Sequence, residues 1–527
     1  MGKYLYGASV QGIQEFIFKT NKLREIVGAS EMVKEICEEK FFEVSGGITK
    51  PENLILAAAG NIKCLFDEDE KKKLEEVVKL FPKMVMEYAP GITISQAVVK
   101  FDGKISEALQ DLEMALKIQR NKAAMPLETG YMALNRARRT GGVLYKNIKI
   151  KKDVHEDVEL STKRKYDKFN DRDNKNLLFK DLAGEGNFDP KMLSNDMADI
   201  NVGSNNKWVA VVHADGNGLG NIIQNIGDQL TDSNKFHEFS KAIDNSTKEA
   251  LQYAFRIVIE NDKRCFEESQ KKGETKNKDY QYPIRPAVIG GDDVTIIIRA
   301  DLALDFTKMF LKKFEEISKN NFEVFKLKEL DNGLSACAGI AFVKESYPLH
   351  YALHLAEELC KDAKKMVKKE DLPKLGNDGS QMPRSSLAFF KVQDSYVESL
   401  EQMKKRIKYA SASTIDYDYG PYLINKCESR ENIPHIGELE AKLDVLKDQQ
   451  TEKSKGVSKL RHLVSETFKS KDTSKFMYER MKTVNDKFIE ALKLPENIFD
   501  ERQKDQKGNT IPVKSILLDL IQIHSFK

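Results

Sequence analysis

Hydrophobic positions along the chain follow two spacings, and the order in which they alternate predicts a repeated α+β unit. Trp208-Val209-Ala210-Val211-Val212-His213-Ala214 is a nearly unbroken apolar run, short and rich in β-branched residues, which reads as a buried strand. It ends in Asp215-Gly216-Asn217-Gly218-Leu219-Gly220, after which apolar residues return at helical spacing, with helical stretches through about Glu260. Ala287-Val288-Ile289 and Val294-Thr295-Ile296-Ile297-Ile298 flank Gly290-Gly291-Asp292-Asp293, a β-hairpin with two acids at its tip. A helix is expected from about Leu302, then a strand from Leu334 to Val343. A further helix has Leu349, Ala352, Leu353, Ala356, Leu359, Cys360 and Ala363 on one face. The order β-α-β-β-α-β is that of a ferredoxin-like sheet, which sets the first strand beside a hairpin strand in the centre.

The amino-terminal part repeats this order. Tyr4 to Ser9 reads as the first strand, Asn53 to Ile62 as the hairpin and Ile92 to Val99 as the fourth strand. No acid stands where Asp215 would, and the hairpin tip Ala58-Ala59-Gly60-Asn61 has no carboxylate. Such a unit still offers small residues against which a second ligand could lie, with Gly60 and Asn61 the candidate contacts. The segment from about Gln119 to Asn206 is polar and without clear periodicity, an irregular linker carrying short helices. Its basic clusters Lys146 to Lys152 and Lys163-Arg164-Lys165 read as solvated surface. Beyond about Lys391 the pattern is helical: Val397 to Tyr409, Ile436 to Lys447, Gly456 to Phe468, Lys475 to Leu492 and Pro512 to Ile523. The expected division is therefore 1–120, 121–205, 206–391 and 392–527.

Composition narrows the class. A length of 527 residues allows roughly three or four domains with a substantial core. No apolar run is long enough for a membrane span and no signal peptide is recognisable. Six cysteines form no Cys-x-x-Cys pair, so zinc and disulfides are not expected and a reduced cytoplasm is. With 85 basic and 82 acidic residues, the net charge of +3 gives the isolated chain no electrostatic case for tight nucleic-acid binding.

Taken alone, Gly-Gly-Asp-Asp is ordinary turn punctuation. With Asp215 ending the neighbouring strand, however, three carboxylates converge, and their repulsion and desolvation call for cations. A pair of Mg²⁺ (or Mn²⁺) ions answers that need. The turn from Gly216 through Asn217, Gly218, Leu219 and Gly220, opening a helix, offers backbone N–H groups to phosphate, and Gly290 and Gly291 let a large ligand approach. This is the palm arrangement of nucleotide polymerases and cyclases, in which two metals activate a 3′-hydroxyl and neutralise the leaving pyrophosphate.

On these motifs the chain resembles the large polymerase-cyclase subunit of type III CRISPR effector complexes, a relative of the GGDEF nucleotide cyclases. Ser335-Ala336-Cys337-Ala338-Gly339-Ile340-Ala341 with Tyr347-Pro348-Leu349, the helix Leu355-Ala356-Glu357-Glu358-Leu359 with Ala363-Lys364, and Gly12-Ile13-Gln14-Glu15-Phe16-Ile17-Phe18 complete the match in the same order. The resemblance implies two palms and a carboxy-terminal helical domain. It implies metal at Asp215, Asp292 and Asp293, with Gly216 lending a carbonyl, and Lys364 near the triphosphate. It implies synthesis of a cyclic oligoadenylate from ATP in antiviral defence, alongside other effector subunits, guide RNA and target RNA. Two departures are visible: the linker lacks the cysteines that often hold zinc, and no His-Asp dipeptide of an HD-type nuclease occurs, so DNA cleavage is not expected. AMP transfer to another acceptor such as S-adenosylmethionine, a free-standing cyclic-dinucleotide synthase and a non-catalytic scaffold remain open.

Overall fold

The computed structural model describes residues 3–47, 53–58, 60–122, 133–151, 154–171, 176–184, 188–202, 204, 206–220, 222, 233–273, 279–369, 372, 383–394, 399–408, 415–427, 433–452, 455–499 and 512–526. Ala59 of the amino-terminal hairpin and residues 223–232 after the Gly-rich turn lie outside them. Strands β1 (Lys3–Gln11), β2 (Leu54–Ala58), β3 (Asn61–Phe66) and β4 (Thr93–Phe101) form an antiparallel sheet in the order β2-β3-β1-β4. Alternation along β1 sends Leu5 toward the helix Ile105–Arg120, while Tyr6, Ala8 and Val10 face the helices that follow β1. There Tyr6 stacks on Phe41 with ring centroids 5.9 Å apart.

A β-hairpin, β5 (Lys146–Lys151) and β6 (Val154–Val158), precedes the second sheet. That sheet contains β7 (Trp208–Gly216), β8 (Ile284–Gly290), β9 (Asp293–Arg299), β10 (Ala336–Lys344) and β11 (Ser386–Lys391). Beyond them lie β12 (Ile415–Asp416) and β13 (Tyr422–Leu423), and the order across the sheet is β13-β11-β10-β7-β9-β8. The run β8-β9-β7-β10 repeats the connectivity of the first sheet, so the chain holds two palm domains followed by a helical part. Every second residue of β7 enters a different core: Val209 and Val211 pack in the one that holds the helix Leu349–Val367, and Ala210, Val212 and Ala214 in the one that holds the helices Ser233–Lys271 and Ala300–Phe322. A strand covered on both faces explains the unbroken apolar run.

Five expectations are corrected. The linker carries short helices as expected, Leu160–Asn170 and Leu177–Ala183, but it also holds the β5–β6 hairpin. Lys165 is buried rather than solvated, its Nζ donating to the Phe16 carbonyl and lying 4.1 Å from that ring's centroid. Parallel pairing of β10 with β11 widens the second sheet beyond four strands. The helix expected over Lys475–Leu492 is two, Lys471–Val484 and Asp486–Ala491, because Asn485 leaves helical geometry at φ −131°, ψ 43°. The last helix is shorter, Leu517–His524, preceded by β14 (Val513–Lys514) paired with β12. Among the described residues no helix is long and apolar enough to cross a membrane.

Candidate active site

Strand pairing decides which acids meet. β7 runs antiparallel to β9 with His213 opposite Thr295 and Ala214 opposite Val294, so Asp215, one residue further, arrives beside Asp293. Gly290 pairs with Asp293, leaving Gly291-Asp292 as a two-residue loop in which Gly291 takes φ +60°, a backbone state that suits glycine. Asp292 thus sits in the turn and Asp293 opens β9, a refinement of the expected tip. Period-two alternation then puts His213 and Asp215 of β7 and Asp293 and Thr295 of β9 on one face.

Two close approaches build the geometry around the acids. A Cβ added to Gly216 would stand 2.8 Å from Asp292 Oδ2, so glycine is what lets this carboxyl lie against the end of β7. Lys364, on the helix Leu349–Val367, reaches across with Nζ 2.6 Å from Asp215 Oδ2 and donates to the Gly216 carbonyl at 2.7 Å. Its helix comes that near because Gly339 of β10 has no side chain: a Cβ there would fall 1.9 Å from the Ala356 carbonyl oxygen.

Electrostatics mark the same group. Burial, then the charge of Asp215, raises the Asp292 carboxyl well above the usual range, and Asp292 also shares a hydrogen bond with Asp215. Burial, Asp215 and Glu357 push Asp293 up to about 7, against the partial relief of Lys364. Asp293 Oδ1 is enclosed without a hydrogen bond, 3.4 Å from His213 Nδ1. Burial holds the His213 ring below its ordinary value, and its Nδ1 lies 3.1 Å from Thr295 Oγ1.

Two raised carboxyls, an orphaned oxygen and a backbone carbonyl form an all-oxygen donor set of the kind that suits Mg²⁺ or Mn²⁺. Among the described residues no three His, Cys, Asp or Glu side chains already enclose an ion-sized space. The oxygens nearest one another are those of Asp215 and Asp292 with the Gly216 carbonyl, and Asp293 lies beside them.

The phosphate-cradle candidates lie next to these. Gly218 takes φ +68° and its carbonyl accepts from Ile222 N–H, opening the helix at Leu219–Gly220. Asn217 faces inward instead: fully buried, it donates from Nδ2 to Ser335 Oγ and from its backbone N–H to the Ser335 carbonyl, which anchors the turn to β10. Gly220 has open space around it.

The tips of both palms line one cavity of about 460 Å³, with Gly60 and Ala57 from the first and Gly290, Asp293 and Thr295 from the second. Gly60 sits at φ +77° with its carbonyl accepting from Val10 N–H. Asn61 is turned along its own sheet, accepting from Ser9 Oγ at 3.1 Å.

Sequence reasoning missed His213, Thr295 and Glu357. Period two from Asp215 and Asp293 would have found the first pair. Helical spacing back from Lys364 would have found Glu357, which accepts a hydrogen bond from Gln14 of the amino-terminal palm.

Residues 208–372 match the family model described as Cas10/Cmr2, second palm domain. That segment is similar to the second palm domain of Cas10/Cmr2 proteins. A comparison with curated proteins found no match. Solved structures similar to this chain include a Csm1-Csm4 cassette in complex with cA4, at 13% identity over 99% of this chain and 70% of that one, TM-score 0.45. A Csm1-Csm4 cassette in complex with cA3 has 12% identity over 99% and 69%, TM-score 0.49. Csm1 in T. onnurineus has 13% identity over 99% and 69%, TM-score 0.46.

Proposed function

We propose that this Cas10-like chain is a metal-dependent nucleotidyltransferase that makes a cyclic oligoadenylate-type second messenger from ATP, as a subunit of a type III CRISPR effector complex. One observation carries the reading: Asp215, Asp292 and Asp293 gather with Lys364 at the strand ends of one palm, and Asp293 also lines the cavity that the tips of both palms share. A scaffold would gain nothing from carboxyls crowded against their own charge, since such crowding costs stability.

Asp215, Asp292 and the Gly216 carbonyl would hold divalent metal, which supplies charge neutralisation and activation of the attacking hydroxyl. The turn at Gly218 to Gly220 admits the phosphates, and Lys364 leaves Asp215 to offset triphosphate charge. The amino-terminal palm presents the second nucleotide across the cavity. Its 3′-hydroxyl oxygen bonds to the α-phosphorus as the bond to pyrophosphate breaks, and the hydroxyl proton departs toward the carboxylates lining the site. Repetition and ring closure give the product. Guide and target RNA in the assembled complex would switch the rate, with the chain alone slow.

The test is nucleotide consumption with product mass, for the chain alone and in its complex with target RNA. Cyclic or linear oligoadenylates support the reading. An AMP adduct of another acceptor, or a cyclic dinucleotide made equally well without the complex, replaces the product while keeping the site. Absence of any metal-dependent consumption by the activated complex would falsify it.

A further inference from the structure

The end of the second sheet opposite the acids gathers cations. β7 begins at Trp208, β10 ends at Lys344 and β11 at Lys391. The register sets Lys344 beside Trp208 and Lys391 beside Phe342, so all of them share one face. Asp215 stands seven residues along β7 from Trp208, roughly 23 Å away at the rise of a strand. Lys344 Nζ lies 4.2 Å from the centroid of the Trp208 ring, and Lys391 Nζ lies 4.5 Å from that centroid and 4.6 Å from that of Phe526. Arg461, exposed on the helix Lys455–Thr467, completes the group, since the charges acting on Lys391 are those of Lys344 and Arg461.

Among the described residues none of these three cations has a carboxylate partner. The acids closest in the chain are held elsewhere: Glu345, next to Lys344, by Lys207 and Asn201, and Glu466, on the helix of Arg461, by Lys469. Asp394, just beyond β11, pairs with Arg406. Burial and the two like charges press the Lys391 ammonium down to about 8, although its Nζ donates to Ser525 Oγ. His524, one residue earlier, is buried with neither ring nitrogen hydrogen-bonded, and the charges facing it are again cations, Arg461 and Lys447. Like charges gathered around a half-buried lysine cost stability, as the crowded carboxyls do at the other end of the sheet. Their complement is an anion with oxygens enough for several donors. Two ammoniums spread over one ring, with a guanidinium beyond them, suit a run of linked phosphates, each met in turn, better than one compact anion. Cations set on aromatic rings are also the combination that follows a phosphate backbone in strand-binding grooves.

We propose that Lys344 and Lys391, over the Trp208 and Phe526 rings, form with Arg461 a binding site for a run of linked phosphate groups, separate from the three acids. The site does not depend on the nucleotidyltransfer reading. Two sources carry its ligand chemistry, a free polyphosphate and the backbone of a single strand of RNA. On binding, the ammoniums turn from the rings toward phosphate oxygens, which changes the surroundings of Trp208, the only tryptophan in the chain.

The experiment titrates the metal-free full chain with inorganic tripolyphosphate, with hexauridylate and with hexaglutamate, following Trp208 fluorescence and the heat of binding on the same samples. Expected is saturable binding of a phosphate ligand that perturbs Trp208, with none of hexaglutamate. Tripolyphosphate bound as tightly as hexauridylate names a free polyphosphate as the source, tighter hexauridylate names a strand, and either supports the site. Hexauridylate affinity should fall with salt on a log–log slope of about −2, as for three phosphate contacts on a single strand. Lys344→Gln and Arg461→Gln, both at exposed positions, should each weaken binding about fivefold or more and make that slope shallower by about 0.7. Lys391→Gln should do the same, and Asp215→Asn should leave the affinity as in the parent. The inference is overturned by absence of saturable binding of either phosphate ligand, by equal binding of hexaglutamate, by unaltered affinity in folded Lys344→Gln and Arg461→Gln, or by loss of binding in Asp215→Asn.

Discussion

Under the proposed function, Lys364 is the residue whose place would change when metal and triphosphate bind. Its ammonium lies on Asp215 Oδ2 and the Gly216 carbonyl, two of the oxygens that metal would need. Under that reading metal entry would displace it, and a triphosphate would give it somewhere to go. Lys364→Met is expected to bind Mn²⁺ more tightly without nucleotide and ATP about tenfold more weakly, read by paramagnetic resonance and calorimetry; weaker Mn²⁺ binding would mean that the lysine assembles the site instead of guarding it. The acids make a pH prediction. Asp292 and Asp293 titrate above their unfolded values, so the folded chain binds more protons than the unfolded one between about pH 4 and about pH 7, and stability falls as pH rises through that window. Metal-free protein should lose melting temperature from pH 5 to pH 8, and Mg²⁺ should restore more of it at pH 8. Asp293→Asn should flatten the loss, and Asp292→Ala should lower product formation by about 10³-fold in a folded chain. Full activity in a folded Asp292→Ala, Asp293→Ala double variant would remove the acids from the mechanism.

At the scale of elements, close packing does what the acids cannot do for themselves. The helix Leu349–Val367 carries Lys364 and Glu357 to the sheet only because β10 has Gly339 at the crossing, where the nearest backbone atoms leave no room for a methyl group. Gly339→Ala should cost roughly 1–3 kcal/mol, seen as a lower urea midpoint with unchanged slope, and should weaken ATP binding as Lys364 is pushed back. Undiminished stability would show that the helix can slide. Such contacts also explain what was legible in the chain. Strands buried on both faces announce themselves as apolar runs, and Gly-Gly-Asp-Asp between two of them fixes a hairpin, so both sheets and the meeting of Asp215 with Asp293 could be anticipated. By contrast β5 and β6, whose residues are mostly polar, have no apolar run to betray them, and β11 is too short for its pairing with β10 to be read. Lys165 read as surface because charge is the local signal, whereas its cation sits on Phe16, reached only through tertiary packing. The group of Lys344, Lys391 and Arg461 is assembled from two strand ends and a helix and leaves no trace in any one of them.

Over the whole molecule, the two palms are tied so that neither can define the cavity alone. Gln14 donates to Glu357, Asn21 Oδ1 accepts from Leu349 N–H at 2.9 Å, and the Glu31 carboxylate accepts from Leu177 and Leu178 N–H at 3.0 and 3.2 Å. One apolar core runs from Tyr6 and Phe81 of the first palm to Val211, Cys337 and Leu359 of the second. A transferase needs its attacking hydroxyl aligned with the scissile phosphate, and such alignment is worth roughly 7–11 kcal/mol in the best cases. If the amino-terminal palm provides it, crowding that palm's side of the cavity should stop transfer while the metal-bearing side still binds. Gly60 is the wrong place to test this: it has φ +77°, and a Cβ there would lie 2.3 Å from Ile13 Cδ1, so Gly60→Leu strains the fold itself. Ala57, in regular strand geometry and half-buried on the cavity wall, is the better probe. Ala57→Leu is expected to keep the parent's melting temperature and Mn²⁺ affinity, to bind one ATP where the parent binds two, and to lose about 10²-fold or more in product formation, because even a fraction of the alignment energy is worth that factor. Binding stoichiometry and product yield measured on the same preparation decide it. A folded Ala57→Leu chain with the parent's yield would make the amino-terminal palm a structural support and confine the chemistry to the palm that bears the acids.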